Sequence, residues 1–188
     1  MKKIIEQIFA DSIEVKQATL KKNLSQMIDA AQVIITAFKS GHKLFFCGNG
    51  GSAADSQHIA AEFVGRFQKE RKAWPAIALT TDSSALTALG NDYSFDIVFS
   101  RQLQALGQKG DVLIAISTSG NSKNVLEAVK QAKLTGITTI GMTGGTGGPL
   151  ASLCDIPIIA ASSKTARIQE SHLVIFHTIC ELVENTLA

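Results

Sequence analysis

Five short apolar runs, separated by longer amphipathic segments, constrain the fold of this chain more than any other feature of its sequence. Such runs are typical of strands that are buried on both faces, and the segments between them have the apolar spacing of helices. The predicted strands are residues 43–47, 75–79, 111–117, 137–142 and 156–159, the last marked as an edge strand by Pro157. Alternating strands and helices predict an α/β domain with a parallel sheet and right-handed crossovers.

The first forty residues carry more apolar helical surface than one crossover needs. Apolar residues recur at helical spacing from about residue 3 to 19 and from 20 to 38, which predicts two helices before the first strand. This surface must be covered by the sheet, by another subunit, or by both, and a symmetric homo-oligomer is the economical interpretation. We expect a single domain, in which residues 1–40 serve oligomerisation and residues 41–188 form the α/β core.

Composition excludes several classes of protein. A formal net charge of +2, with 45% hydrophobic and 18% charged residues, argues against a disordered chain and against an electrostatic nucleic-acid binder. No run approaches the roughly 18 apolar residues of a membrane span, and the start of the chain soon carries Glu6. We therefore expect a cytoplasmic protein with neither a nucleic-acid nor a membrane partner.

The three cysteines, Cys47, Cys154 and Cys180, lack the paired spacing of a zinc cluster and are too few for a disulfide framework. We expect each to be a small core residue. Cys47 is also a candidate for an acidified thiol, because it stands beside a glycine turn and a helix start.

Residues 47–62 combine the end of a strand, a glycine turn and a helix that carries His58 and Glu62 four residues apart. Glycines let backbone N–H groups approach an anion, and the helix start aims its positive dipole end at the same place. The spacing of His58 and Glu62 puts both on one helix face. Three interpretations are open: metal ligands, an acid/base pair, or an ordinary surface pair. Residues 48–53 fit the G-x-G-x-x-A pattern, but the acid that a dinucleotide site needs about 20 residues later has no candidate.

A second polar segment, residues 117–122, follows the third predicted strand and contains four hydroxyl groups and a glycine at a helix start. It lacks the lysine of a P-loop, and it suits a phosphate monoester held by hydroxyls and backbone N–H groups. Helix capping alone would explain only one or two of these hydroxyls. Because the carboxyl ends of parallel strands share one edge, this loop should meet residues 48–52 and 80–84.

The last predicted helix, from about residue 166 to 187, carries Gln169 and His177 within about 80° of each other. A polar pair on each of two helices is a set that builds mixed nitrogen and oxygen metal sites. His177 lies in an apolar stretch, so a buried core histidine is the alternative. His172 lies about 140° from His177 and is predicted to face solvent.

Together these motifs resemble the sugar isomerase (SIS) fold, and within it the bacterial phosphoheptose isomerases, over essentially the whole chain. The resemblance rests on residues 47–55, 57–58, 75–79, 90–92, 116–122 and 167–170, with Glu62 and His177. It implies a flavodoxin-like, three-layer α/β/α sandwich with a five-stranded parallel sheet, preceded by N-terminal helices. It also implies a homotetramer with active sites at the subunit interfaces.

The resemblance implies roles for individual residues. One zinc ion per subunit would be held by His58, Glu62, Gln169 and His177, with Glu62 and His177 as the acid/base pair. The implied reaction converts sedoheptulose 7-phosphate to D-glycero-D-manno-heptose 7-phosphate, the first step of ADP-heptose and lipopolysaccharide core biosynthesis. The residues implied to contact this seven-carbon sugar phosphate are Asn49, Gly50, Gly51, Glu62, Asn91, Asp92, Ser117, Thr118, Ser119, Ser122 and Gln169.

A non-enzymatic branch of the same fold, whose homotetramers bind a replication-initiator protein, is the alternative. Residues 66–71 and 86–88 resemble that branch as well. The branch tends to lose the carboxylate equivalent to Glu62 and the histidine equivalent to His177. Because this chain has both, and also Gly51, the resemblance favours the isomerase.

Overall fold

Five parallel strands form one sheet in a computed structural model that describes all 188 residues. The strands are β1 (Leu44–Cys47), β2 (Ala76–Ala78), β3 (Val112–Ile116), β4 (Thr138–Gly144) and β5 (Ile156–Ala160). Their order across the sheet is β2-β1-β3-β4-β5, with Leu44 opposite both Ala76 and Val112. The five predicted strands and their parallel pairing are confirmed, and Pro157 lies on an edge strand, as predicted.

Helices cover both faces of the sheet. They are α1 (Lys2–Lys39), α2 (Gly51–Val64), α3 (Ser83–Asp92), α4 (Val98–Leu106), α5 (Lys123–Thr135), α6 (Gly148–Leu153) and α7 (Thr165–Leu187), with a 3₁₀ helix, Phe95–Ile97, before α4. Successive strand residues face opposite sides, so Phe46 packs under α1, α2 and α7 while Phe45 packs under α4 and α5. This is the predicted three-layer α/β/α sandwich. None of these helices combines the length and hydropathy that a membrane span requires.

The N-terminal segment is one 38-residue helix with a bend, rather than the two separate helices predicted. The bend lies at Asn23, whose φ of −123° and ψ of 18° are not helical. Its side-chain amide donates to the carbonyl oxygen of Ile159 at 3.0 Å and accepts the N–H of Ile159 at 2.9 Å. The helix therefore bends where a polar side chain bonds the backbone of β5, a contact that apolar periodicity does not register.

The first half of α1 exposes an apolar face. Ile8, Phe9 and Ile13 are 45%, 66% and 56% exposed, although isoleucine and phenylalanine are among the residues most often buried. An apolar surface of this kind marks an interaction site. It supports the expectation that residues 1–40 serve oligomerisation, which stays a prediction.

All three cysteines are buried and unpaired, as expected of core residues. Burial raises the pKa of the Cys47 thiol far above its ordinary value and that of Cys180 to about 12. The interpretation of Cys47 as a candidate for an acidified thiol is therefore wrong. The side chain lies on β1 among the apolar residues under α4 and α5, where no charge stabilises a thiolate.

Candidate active site

The two polar loops lie side by side where the order of the strands reverses. β1 leads through the glycine turn into α2, and its neighbour β3 leads through residues 117–122 into α5. Ligands of open α/β sheets bind at such a point, beyond the carboxyl ends of the strands. The third predicted loop joins them, because the Thr80 hydroxyl donates to the carbonyl oxygen of Ala53 in α2 at 3.4 Å.

Asn49 and Asn124 connect the two loops through a pair of reciprocal amide hydrogen bonds. Each bond measures 2.9 Å, and the Asn124 side-chain oxygen also accepts the N–H of Val125 at 3.0 Å. Asn124 is 3% exposed and thus holds Asn49 from inside the protein. Asn124 is not among the predicted site residues, because an asparagine in the first turn of a helix resembles an ordinary polar surface residue.

The hydroxyl groups of the second loop line the start of α5. The Oγ atoms of Ser117 and Ser122 lie 3.0 Å apart, and the Ser119 Oγ accepts the N–H of Asn121 at 3.2 Å. Ser119 is exposed and Thr118 half-buried. The Ser122 hydroxyl makes no capping hydrogen bond to α5, so the N–H groups of Lys123 and Asn124 at the start of this helix have no side-chain cap. A helix start of this kind can hold an anion such as a phosphate group.

Gly120 lets the hydroxyl loop pack tightly against the segment before α6. Its φ of +69° lies in the left-handed region, and a Cβ at this position would clash with the Gly147 carbonyl oxygen. The Gly120 carbonyl oxygen in turn accepts the N–H of Leu150 at 3.1 Å. The loop is therefore held by backbone contacts that only glycine permits.

Three potential metal ligands converge between α2 and α7. The Nε2 atom of His58 lies 3.0 Å from Oε1 of Glu62, and the ring centroids of His58 and His177 are 5.3 Å apart. One ligand atom from each of the three residues lies within 4.8 Å of the other two. A tetrahedral zinc ion separates its ligand atoms by roughly 3.4 Å. The three side chains can therefore hold a single metal ion after small adjustments.

Gln169 lies at the other end of the contact between α2 and α7. A Cβ at Gly51 would overlap its side-chain amide, so Gln169 covers the first residue of α2. His58 is seven residues further along the same helix, about 10 Å in axial rise. The structure thus places Gln169 beside the glycine turn and His177 beside His58. The role of Gln169 as a fourth metal ligand stays a prediction.

Asn91 and Asp92 lie at the exposed end of α3. Asn91 donates to the Asp92 carboxylate at 2.8 Å, and neither bonds another predicted site residue. No residue of α3 is buried. An exposed position of this kind fits the expectation that the site is completed between subunits.

Asp55 is a further polar residue that sequence analysis did not single out. It lies on α2, three residues before His58, and its Oδ2 atom is buried without a hydrogen-bond partner. Burial raises the pKa of its carboxyl group, although the nearby His58 opposes the change. A single acid in a helix carries no sequence signal for this environment.

His172 is buried, which corrects the prediction that it faces solvent. The residue is 0% exposed, and its Nε2–H group donates a hydrogen bond to the Thr143 carbonyl oxygen at 3.0 Å. Burial lowers the pKa of the imidazole to about 4, although the bond to Thr143 opposes this. The prediction was wrong because α7 is covered on two sides, by α2 beside His177 and by β4 beside His172.

Acidification should destabilise the fold through His172. Protonation would place a hydrogen on Nδ1, which is buried without an acceptor. The folded pKa of about 4 lies below the ordinary value of 6.5, so the unfolded chain binds more protons between these pH values. The contribution of His172 to the free energy of unfolding is complete above pH 6.5 and falls by about 3 kcal/mol towards pH 4.

Denaturant unfolding of the wild type and of His172→Gln across this pH range measures the effect. Glutamine keeps an N–H donor for the Thr143 carbonyl but does not titrate. The wild type should lose about 3 kcal/mol more than the variant on acidification. Parallel stability curves would show that His172 does not carry the effect.

Comparison with known proteins adds the family. Residues 7–144 match the SIS domain. A phosphoheptose isomerase of Clostridium acetobutylicum is 52% identical over 189 residues, which cover 100% of this chain and 96% of that protein. One of Aquifex aeolicus is 54% identical over 180 residues, covering 96% and 94%.

Solved structures agree with this match. The phosphoheptose isomerase of Neisseria gonorrhoeae has a TM-score of 0.93 at 44% identity, with 98% of both chains covered. That of Francisella tularensis has a TM-score of 0.94 at 36% identity, with 97% of both chains covered. This chain therefore belongs to the phosphoheptose isomerase family of SIS-domain proteins.

Proposed function

We propose that this protein isomerises sedoheptulose 7-phosphate to D-glycero-D-manno-heptose 7-phosphate, the first step of ADP-heptose and lipopolysaccharide core biosynthesis. The observation that carries the proposal is the convergence of His177 on α7 with His58 and Glu62 on α2, the helix that follows the glycine turn. The relatives named phosphoheptose isomerase support it. A replication-initiator-binding homotetramer is not favoured, because Glu62 and His177 are both present.

The reaction moves a proton between neighbouring carbon atoms of the sugar. A proton on carbon next to a carbonyl group is weakly acidic, so a base must remove it while the developing negative charge on oxygen is stabilised. We propose Glu62 as this base, since its side chain is 22% exposed and thus accessible to a substrate. His177, on the facing helix, would donate or relay a proton to the sugar oxygen.

We further propose one zinc ion per subunit, held by His58, Glu62 and His177. Gln169, whose side chain lies beside Gly51, would become the fourth ligand by turning towards His58 when the ion binds. When bound, zinc would supply a Lewis acid that polarises a sugar oxygen. A carboxylate that is tightly bound to a metal is a poor base, because its negative charge is neutralised. Glu62 can therefore remove a proton only in a state in which its carboxylate is not a tight ligand.

The rest of the proposed site follows the loops. Ser117, Thr118, Ser119 and Ser122 would bind the phosphate group, and Asn49, Gly50 and Gly51 would approach the sugar chain. Asn91 and Asp92 would reach the sugar from a neighbouring subunit of a homotetramer that assembles through residues 1–40. We propose that this assembly works in the cytoplasm on the phosphorylated seven-carbon sugar.

Ser119→Ala should raise KM for sedoheptulose 7-phosphate about tenfold or more, with a smaller effect on kcat. A hydrogen bond to a charged phosphate contributes about 1.5–3 kcal/mol, and it stabilises substrate and transition state alike. The Ser119 hydroxyl is exposed, so stability should hardly change. Ser152→Ala, at an exposed position of α6, is the control. An unchanged KM would show that Ser119 serves only the local turn.

The function itself is tested by a metal count on purified protein together with a turnover assay on sedoheptulose 7-phosphate. We expect about one zinc ion per chain and formation of the aldose. Wild-type protein that is fully loaded with metal but inactive would refute the isomerase. Binding of a replication initiator by such protein would establish the alternative.

A further inference from the structure

A buried ion pair joins the two helices that carry the candidate metal ligands. Arg71, in the connection after α2, places its Nε atom 3.0 Å from Oε1 of Glu184 on α7. The two side chains are only 4% and 3% exposed. Burying two charges is costly unless both are fully hydrogen-bonded. The hydrogen bonds of Arg71 and Glu184 show which segments of the chain the ion pair connects.

Glu184 holds the chain just after α2. Its carboxylate accepts the backbone N–H groups of Phe67, Gln68 and Lys69 at 3.1, 2.8 and 2.9 Å. Burial opposes its ionisation, but these bonds and the one from Arg71 together hold the pKa of Glu184 below its ordinary value. The segment following α2 is thereby wrapped around a charged group of α7.

Arg71 holds the end of α2 itself. Its guanidinium donates to the carbonyl oxygens of Glu62 at 2.7 Å and Phe63 at 2.9 Å, and it stacks on the Trp74 ring at 3.6 Å. Carbonyl groups in the last turn of a helix lack partners within the helix, and they carry the negative end of its dipole. Arg71 therefore caps α2 at the residue whose side chain belongs to the candidate site.

The same hydrogen bonds hold Phe67, whose aromatic ring lies beside His177, the candidate ligand on α7. The Phe67 ring centroid lies 5.5 Å from that of His177, and the Phe67 N–H is bonded to Glu184. Glu184 follows His177 by two turns on α7. One ion pair thus bonds to both halves of the site, through the carbonyl oxygen of Glu62 and through the N–H of Phe67, whose ring lies beside His177.

We propose that Arg71 and Glu184 are positioning residues, which fix His177 on α7 relative to His58 and Glu62 on α2. The inference rests on the proposed metal site and extends it to a pair that touches neither metal nor substrate. Metal–ligand distances tolerate only about 0.2 Å of error, so a small shift between the two helices would disturb the site. Residues that orient metal ligands typically contribute about 10- to 100-fold in metal affinity.

Glu184→Gln in the full-length chain tests the pair. The substitution keeps the shape of the side chain but removes its charge and places an N–H₂ group against N–H donors. Competition with a chromogenic chelator should show zinc binding about tenfold weaker than in the wild type. The kcat should fall while KM for the sugar phosphate stays within about twofold, because the phosphate loop lies elsewhere. Arg71→Lys keeps the charge without the planar fork and should give an intermediate loss.

A variant that loses stability elsewhere separates positioning from stability. Val129→Ala lowers packing in the core on the opposite face of the sheet. The two variants are compared at equal free energy of unfolding. If Val129→Ala lost as much zinc affinity as Glu184→Gln, the proposal would be overturned. Trp74 is the one tryptophan of the chain and stacks on Arg71, so its emission should change in Glu184→Gln but not in Val129→Ala.

The measurements distinguish an incorrect metal site or activity from an incorrect positioning role of Arg71 and Glu184. A wild type that binds no divalent ion refutes the metal site, and kcat then decides: an unchanged kcat in Glu184→Gln overturns the pair, and a lower kcat at constant KM supports it. An inactive wild type that binds zinc refutes the isomerase. In that case the zinc affinity of Glu184→Gln tests the pair: a weaker affinity supports the positioning role, and an unchanged affinity overturns it.

Discussion

Glu62→Gln is expected to lower kcat for sedoheptulose 7-phosphate by about 10²- to 10⁴-fold, the usual contribution of a general base. An amide cannot take up the carbon-bound proton, so the proton-transfer step loses its acceptor. The Glu62 carboxylate bonds only His58, at 3.0 Å, and no buried contact depends on its charge. The free energy of unfolding should therefore hardly change. Steady-state kinetics and denaturant unfolding of the same preparation measure both effects.

Glu70→Gln is the matched control, since it removes the same charge from a side chain that is 90% exposed. Its kcat should equal that of the wild type. His177→Ala should also slow turnover, because it removes the proposed proton donor. Wild-type kcat in Glu62→Gln would exclude Glu62 as the base, whatever its role in metal binding.

Gly120→Ala should have the second-largest effect, on both stability and substrate binding. Alanine at a φ of +69° costs about 1–2 kcal/mol, and the clash with the Gly147 carbonyl oxygen adds about 1–3 kcal/mol. We expect a loss of about 2–5 kcal/mol in the free energy of unfolding. Because the clash displaces the hydroxyl loop, KM should rise at least about tenfold, the equivalent of one lost phosphate contact.

Gly145→Ala isolates the effect of the clash. Gly145 has a similar φ of +58°, but a Cβ there would meet nothing within 4 Å. This variant should lose only the conformational cost of about 1–2 kcal/mol and keep the wild-type KM. If both variants lost the same stability and kept the same KM, the backbone contact of Gly120 would not shape the site.

The strands and the pairing of His58 with Glu62 on α2 could be predicted because their signals are local. A strand that is buried on both faces is apolar whatever its neighbours are, and β3 shows this clearly. The spacing of His58 and Glu62 on one helix face follows from helix geometry alone. The pattern of the last helix gave Gln169 and His177 as a second polar pair, and the structure brings His177 to the same group.

Other features depend on contacts between distant segments, which no local pattern records. Periodicity assigns one buried face to a helix, but α7 is covered on two sides, so the burial of His172 escaped prediction. Residues 66–74 form an irregular connection between α2 and β2, yet Arg71 is buried against Glu184, more than a hundred residues away. Asn124 matters because of Asn49, and its own neighbours in sequence give no sign of that pairing.

The bend in α1 also determines how copies of this chain can meet. The outer side of β5 would otherwise present free backbone groups, on which a strand of another molecule could add. Asn23 takes the N–H and carbonyl groups of Ile159, and the Thr19 hydroxyl takes the N–H of Ala161 at 2.9 Å. This edge of the sheet is closed to strand addition, so association at this side must use helix surfaces, which favours a defined assembly over aggregation.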